Sequence, residues 1–267
     1  MAKIARVSHL QEFKNSGRKF SCLTSYDQNT AAIFDEGGIN VLLVGDSAAE
    51  NALGHESVLA ITVDEIIPLA RAVAGAAKSA LVVVDMPFGS YETSADDALA
   101  NALKIMKQTG AAGVKLEGGK RSSKQIAKLV ESGIPVMGHV GFTPQSVHAL
   151  GGFKIQGRGD AADEVFAEAL AVQEAGAFAV VLELVPADLA ERITKQLQIP
   201  TIGIGAGSGT DGQILVWTDF AGLSGGKPRR FVREYMSLRD DLLTAAKNYA
   251  ADVESGSFPN SDESFSD

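Results

Sequence analysis

The chain has one cysteine, Cys22, in 267 residues. It therefore holds no intramolecular disulfide framework and suits a reducing compartment. Basic residues are outnumbered, 24 Lys and Arg against 33 Asp and Glu, for a formal net charge of −9. Generic binding to nucleic acid or to an anionic membrane needs a basic surface, so both are excluded as default roles. Aromatic residues make up only 6% of the chain. Apolar runs such as 41–44 and 80–84 fall far short of the roughly 20 residues that cross a bilayer. Residues 1–7 hold two basic side chains with no apolar core behind them, which is not the pattern of a signal peptide. A soluble cytoplasmic protein is expected. No His and Cys residues cluster at zinc-ligand spacing. The 28 glycines follow no three-residue period, which excludes collagen.

What is present is an ordinary globular composition, 45% apolar and 21% charged. The length suits one barrel or one doubly wound domain, and two small domains would also fit. Short β-branched runs at 20–23, 41–44, 81–84, 114–116, 136–138, 179–182, 201–204 and 214–217 predict strands. They lack in/out alternation, as strands of a parallel sheet buried on both faces do. Helical patterns lie between them at 30–36, 64–78, 95–109, 124–132, 163–175 and 187–196. Ser94 with Asp97, and Thr62 with Glu65, have the spacing of capping boxes. Gly110, Gly133 and Gly176 follow helical stretches where a left-handed closing residue is wanted. An extra helix is expected before the first strand, with Ser8 as its cap and Leu10 and Phe13 on its apolar face. Eight strands with mostly helical crossovers predict an α/β protein, a (β/α)8 TIM barrel with an N-terminal extra helix. The Gly-rich stretch 205–212 leaves little room for a helix between the last two strands. A doubly wound open sheet is the alternative. Residues 1–253 are expected to form a single barrel domain, and 254–267, with four acids and no base, a disordered Ser-rich tail.

The residues that follow the strands carry the chemistry. Strand two ends in Gly45-Asp46-Ser47, strand three in Asp85, strand four in Lys115-Leu116-Glu117, strand five in His139 and strand six in Glu183. In a parallel barrel these ends converge on one mouth. Three acids packed together repel one another unless a cation compensates, and all-oxygen ligation suits Mg²⁺. Each acid taken singly has a bland reading as a helix cap. Lys115 and Glu117, two apart on one strand, point to the same side. A lysine at this position either holds an anion, pairs within the strand end, or forms a Schiff base. His139 either orients a substrate oxygen or is a satisfied core histidine. Ser47 is placed to donate to a carboxylate, and no nucleophile elbow surrounds it. The glycine run 203–209 does not fit a dinucleotide fingerprint, nor does 118–121 fit a P-loop.

A specific resemblance covers residues 3–250. It is carried by Thr24-Ser25-Tyr26-Asp27, Leu43-Val44-Gly45-Asp46-Ser47, Thr62-Val63-Asp64-Glu65 and Asp85-Met86-Pro87-Phe88-Gly89-Ser90-Tyr91. Gly113-Val114-Lys115-Leu116-Glu117-Gly118, Met137-Gly138-His139-Val140-Gly141-Phe142-Thr143-Pro144-Gln145 and Glu183-Leu184-Val185-Pro186 continue it, with Thr201 to Gly207 and Asp211-Gly212-Gln213. In these motifs the chain resembles the ketopantoate (3-methyl-2-oxobutanoate) hydroxymethyltransferases. It departs from the family at Thr218-Asp219, where His-Asp is usual, and at 66–69, where many members carry a histidine. The resemblance implies a (β/α)8 barrel, a decamer, and Mg²⁺ held by Asp46, Asp85 and Glu117. It also implies a 2-oxo acid held by Ser47 and Lys115 with Asp46 and Asp85 beside it, and Glu183 as catalytic base. The cosubstrate implied is 5,10-methylenetetrahydrofolate, and the product 2-dehydropantoate, in pantothenate biosynthesis.

The reaction so implied is a metal-assisted enolisation followed by aldol-type addition. Three other readings compete with it. A Mg²⁺-dependent 2-oxo acid lyase or carbon–phosphorus mutase often uses a loop cysteine, and Cys22 lies inside strand one. A Schiff-base aldolase would use Lys115. A non-catalytic barrel would bind a 2-oxo acid without turnover, which the intact acid set argues against.

Overall fold

The computed structural model describes residues 5–265. The chain falls into two compact units, Met1–Val216 and Trp217–Asp267. The division lies well before residue 253, where composition alone places a boundary.

In the first unit α1 (Val7–Asn15) leads into β1 (Phe20–Thr24), α2 (Gln28–Glu36), β2 (Val41–Val44), α3 (Ala48–Asn51), α4 (Val63–Ala76) and β3 (Leu81–Asp85). Then come α5 (Ala95–Thr109), β4 (Gly113–Glu117), α6 (Ser123–Glu131), β5 (Val136–Gly141) and α7 (Ala162–Glu174). β6 (Ala179–Glu183), α8 (Ala187–Gln196), β7 (Thr201–Ile204) and β8 (Gly212–Leu215) complete it. The strands close in sequence order into a parallel eight-stranded barrel. Closure is the pairing of β8 with β1, Phe20 opposite Gly212 and Cys22 opposite Ile214, which sets aside the open sheet. Gly212 is required there, because a Cβ would lie 2.4 Å from the Phe20 ring.

Residues of one parity on each strand face the barrel axis. Phe20, Cys22, Val41, Leu43, Leu81, Val83, Met137, Ala179, Val181, Ile202 and Ile214 pack there into one buried cluster, and Leu10 of α1 joins it. Phe13 packs against the same cluster, so the extra helix uses the apolar face expected of it. The same parity continued toward the strand C-termini gives Asp85, Lys115, Glu117, His139 and Glu183. Apolar side chains fill one end of the barrel and ionisable ones the other.

Local chemistry explains most boundaries. Thr62 and Glu65 form the reciprocal capping box that opens α4. Asp97 N donates to Ser94 Oγ at 3.0 Å at the start of α5, and Gly110 ends that helix at φ 76°. Two expectations need correction. The cap of α1 is Arg6, whose backbone N–H donates to His9 Nδ1 at 3.0 Å, and Ser8 lies inside the helix. β8 runs over Gly212–Leu215, two residues earlier than read, and Trp217 opens a helix. Its start is set by Asp211, whose carbonyl accepts from Phe20 N at 3.2 Å and whose Oδ2 accepts from Thr201 N at 2.9 Å. No helix separates β7 from β8.

The second unit contains α9 (Trp217–Phe220) and α10 (Leu238–Ser255), neither of which periodicity indicated. Phe220 stacks on Tyr235 at 5.0 Å, and Gly256 closes α10 at φ 73°. The expected tail boundary at 254 thus falls inside a helix. Beyond it, Asn260 and Glu263 form a capping box on a short turn. Among the described residues no helix is long and apolar enough to cross a membrane.

Asp35 on α2 holds the entry to β3. Its Oδ1 accepts from Ser79 N at 2.9 Å and Ala80 N at 2.6 Å, and its Oδ2 from Lys78 N at 3.0 Å. Partial burial opposes ionisation, but these donors outweigh it and hold the carboxyl below its ordinary value. Asp35→Ala leaves several backbone donors without an acceptor and should cost about 1–3 kcal/mol in urea denaturation at pH 7. A depressed folded-state value means that the stabilisation is complete above the unfolded value, near ~4. It is lost as pH falls through the folded value, so the gap between the two proteins should close in acid.

Candidate active site

Strand register sets which ionisable groups meet. Asp85 lies opposite Lys115, Glu117 opposite His139, and Gly141 opposite Glu183. Asp46 follows β2 by two residues. Asp46, Asp85, Lys115, Glu117, His139 and Glu183 are all less than one-tenth exposed. The structure therefore brings together the sequence-predicted acids, lysine and histidine.

Lys115 Nζ pairs with Asp85 Oδ1 at 2.7 Å. Asp85 Oδ2 accepts from the Asp46 backbone N–H at 2.9 Å, so one carboxylate ties β4 to the segment after β2. Burial would drive the Lys115 ammonium down, but Asp85, Asp46 and Glu117 hold it above its ordinary range. That is the reverse of what a Schiff-base lysine needs. His139 lies with Nδ1 3.5 Å from Glu117 Oε1 and Nε2 3.3 Å from Glu183 Oε2. Burial and the Lys115 ammonium pull its value down, the two carboxylates outweigh them, and it is pushed up to about 9. His139 thus lies between two carboxylates, with Nδ1 also 3.3 Å from Lys115 Nζ, so it belongs to the polar set rather than to the apolar core.

Four buried acids thus share one lysine and one histidine. The shortfall appears at Asp46. Burial first, then Asp85 and Glu117, push its carboxyl up to about 8, against the lowering effect of Lys115 and Gln145. Glu117 Oε1 is buried and accepts no hydrogen bond. Among the described residues no three His, Cys, Asp or Glu side chains are gathered closely enough to form a ready-made metal cage.

Glu183 is held by its backbone. Its carbonyl accepts from Phe142 N at 2.8 Å, and Leu184 N donates to Ile204 O at 2.9 Å. Leu184 sits at φ 49°, the one described non-glycine residue in the left-handed region, at a strain of about 1–3 kcal/mol. Gly141, at φ 91°, gives room, since a Cβ there would be 2.3 Å from the Glu183 carbonyl oxygen. Leu184 and Gly141 thus help to fix the backbone that carries the Glu183 carboxylate.

Ser47 does not bond a carboxylate. Its Oγ meets Tyr26 Oη at 2.8 Å, and Tyr26 Oη also accepts from Thr24 Oγ1 at 3.0 Å. Sequence reasoning assigned no role to Gln145 or Tyr91, and both are buried in the acid network. Gln145 N donates to Glu117 Oε2 at 3.0 Å, and Gln145 Nε2 donates to Asp46 Oδ2 at 2.8 Å. Both residues stood inside quoted motifs, but an amide and a phenol have no spacing rule that distinguishes a network from ordinary packing.

Comparison with known proteins adds the family. The family model described as "Ketopantoate hydroxymethyltransferase" matches residues 5–261. The chain is 58% identical to the 3-methyl-2-oxobutanoate hydroxymethyltransferase of Leifsonia xyli, covering 98% of this chain and 95% of that one. It is 59% identical to that of Corynebacterium efficiens, covering 99% and 98%. Against the Mycobacterium tuberculosis protein the identity is 56%, covering 97% and 92%. Among solved structures, phosphonopyruvate hydrolase in complex with oxalate and Mg²⁺ superposes with a TM-score of 0.62 at 13% identity, covering 97% and 93%. 2,3-Dimethylmalate lyase gives 0.61 at 14%, covering 99% and 93%. These two likenesses speak to the barrel alone. The family match and the near full-length relatives speak to more: the chain belongs to the ketopantoate hydroxymethyltransferase family, a family of enzymes that transfer a hydroxymethyl group.

Proposed function

We propose that this chain transfers a hydroxymethyl group from 5,10-methylenetetrahydrofolate to 3-methyl-2-oxobutanoate, giving 2-dehydropantoate for pantothenate synthesis in the cytoplasm. The single observation that carries the reading is the buried mouth in which Asp46, Asp85, Glu117 and Glu183 outnumber Lys115 and His139. A divalent cation fits that shortfall. It would relieve the repulsion from Asp85 and Glu117 that adds to burial in pushing the Asp46 carboxyl up to about 8. Asp46, Asp85 and Glu117 are oxygen donors of the kind Mg²⁺ takes. Mg²⁺ is commonly held by one or two carboxylates together with waters and substrate oxygens, so no closed cage is required. When bound, the metal supplies Lewis-acid polarisation of the keto group and charge stabilisation at its oxygen.

The chain's own residues do the rest. The Lys115 ammonium, held charged beside Asp85, receives the substrate carboxylate. Ser47, bonded to Tyr26, lies beside that acid set as a further hydroxyl for the oxo acid. Glu183 takes the proton from C3, and its backbone is held with the help of the strained Leu184 on one side and Gly141 on the other. His139, 3.3 Å from Glu183 Oε2, steadies that carboxylate and links it to Glu117. The carbon nucleophile so formed bonds to the methylene carbon as both C–N bonds from that carbon to the folate break. One water supplies the hydroxyl oxygen, and one of its protons and the proton taken from C3 go to the two released nitrogens, giving 2-dehydropantoate and tetrahydrofolate.

Two variants separate binding from chemistry. Glu183→Gln should keep Mg²⁺ and oxo acid binding while abolishing exchange of the C3 proton of 3-methyl-2-oxobutanoate into D₂O, followed by proton NMR. Undiminished exchange would remove Glu183 as base. Lys115→Met should raise KM for the oxo acid about tenfold to a hundredfold, the loss of one charge-assisted contact of roughly 1.5–3 kcal/mol. It should also lower stability to urea, because it leaves Asp85 buried without its partner.

A further inference from the structure

Gln145 follows the segment Phe142-Thr143-Pro144 after β5 and is almost wholly buried. It makes four polar contacts, all within the acid network. Its backbone N–H donates to Glu117 Oε2 at 3.0 Å. Its side-chain Nε2 donates to Asp46 Oδ2 at 2.8 Å and to the Met86 carbonyl at 3.1 Å. Its Oε1 accepts from Tyr91 Oη. Tyr91 Oη in turn accepts the Glu117 backbone N–H at 3.2 Å, which closes a ring through Glu117, Gln145 and Tyr91.

The ring fixes which way round the amide sits. Tyr91 Oη already accepts from a backbone N–H, so its own proton points at the Gln145 carbonyl oxygen. The NH₂ end therefore faces Asp46 and Met86 O, two acceptors that would be left without a donor if the amide were turned. One residue thus gives a donor to each of two acids on different segments, Asp46 after β2 and Glu117 at the end of β4. It engages one oxygen of each, Oδ2 and Oε2, while Glu117 Oε1 has His139 Nδ1 near it at 3.5 Å. Glu117 Oε1 is the buried oxygen that accepts no hydrogen bond.

We propose that Gln145 is a positioning residue for the divalent cation: its backbone and side-chain N–H groups hold Asp46 and Glu117 at a set spacing and orientation, with Tyr91 locking the amide. The proposal rests on the reading that these acids hold Mg²⁺. An outer group that orients metal-binding carboxylates commonly changes affinity or activity tenfold to a hundredfold when lost. Donation from an amide also offsets repulsion between the two acids without adding a charge that would compete with the cation.

The test is calorimetric titration of the full chain with Mg²⁺ alone, for the unsubstituted protein, Gln145→Met and Tyr91→Phe, together with kinetics on 3-methyl-2-oxobutanoate. Gln145→Met keeps the volume and removes the side-chain donor. It should bind Mg²⁺ about tenfold to a hundredfold more weakly and lose kcat in similar measure. KM for the oxo acid at saturating Mg²⁺ should stay within about twofold, because Lys115 is untouched. Tyr91→Phe frees the amide to turn and should weaken Mg²⁺ binding by about threefold to tenfold, the value of one hydrogen bond. Unchanged Mg²⁺ affinity in a folded Gln145→Met, or in Tyr91→Phe should the former not fold, overturns the proposal. A merely structural role would lower thermal stability and leave Mg²⁺ affinity alone. Failure of the unsubstituted chain to bind Mg²⁺ would instead overturn the metal reading on which the proposal stands.

Discussion

Repulsion among carboxylates that the barrel does not let apart is the constraint on which the site depends. Asp46, Asp85, Glu117 and Glu183 are all buried at one mouth, with only Lys115 and His139 to answer them. In water such a group would spread out or be screened. In a closed barrel the backbone positions are set by strand pairing, and screening is weak. Every polar neighbour of the site can be read as a response to this. Lys115 is drawn onto Asp85 at 2.7 Å, His139 spans Glu117 and Glu183, and Gln145 donates to two acids at once. The remaining imbalance is what a divalent cation would remove.

The barrel makes this concentration of charge affordable by separating it from the apolar core along one axis. The inward parity of the strands begins with Leu81, Val83, Met137, Ala179 and Val181, packed with Leu10. It ends with Asp85, Lys115, Glu117, His139 and Glu183. Parallel strands present all their C-terminal ends on one side, so the chemistry converges without any side chain having to reach across the core. Solved barrels at 13–14% identity superpose over nearly the whole chain, which shows how little of the sequence the architecture itself demands.

Much of this was legible in the residues. The strands were marked by β-branched runs, three helix ends by Thr62, Ser94 and Gly110, and the mouth by acids that recur after successive strands. What was misread has identifiable causes. β8 is offset because Asp211, by bonding Thr201 and Phe20, starts the pairing before the apolar run does. Ser8 has the residue type of a cap, yet His9 serves Arg6 from inside the helix. The acidic composition near the chain end suggested disorder from 254, while α10 runs to Ser255.

The sequence by itself determined the alternation of strand and helix, the parity that puts Lys115 and Glu117 on one face, and membership in a family through motifs in order. These are local or one-dimensional properties, read from spacing along the chain. Only the tertiary structure decided the partners: Ser47 with Tyr26 rather than an acid, His139 between two carboxylates, and Gln145 between Asp46 and Glu117. Those pairings join residues that are 21 to 99 positions apart. Barrel closure and strand register set their distances, and no local pattern of residues encodes a distance across a closed sheet.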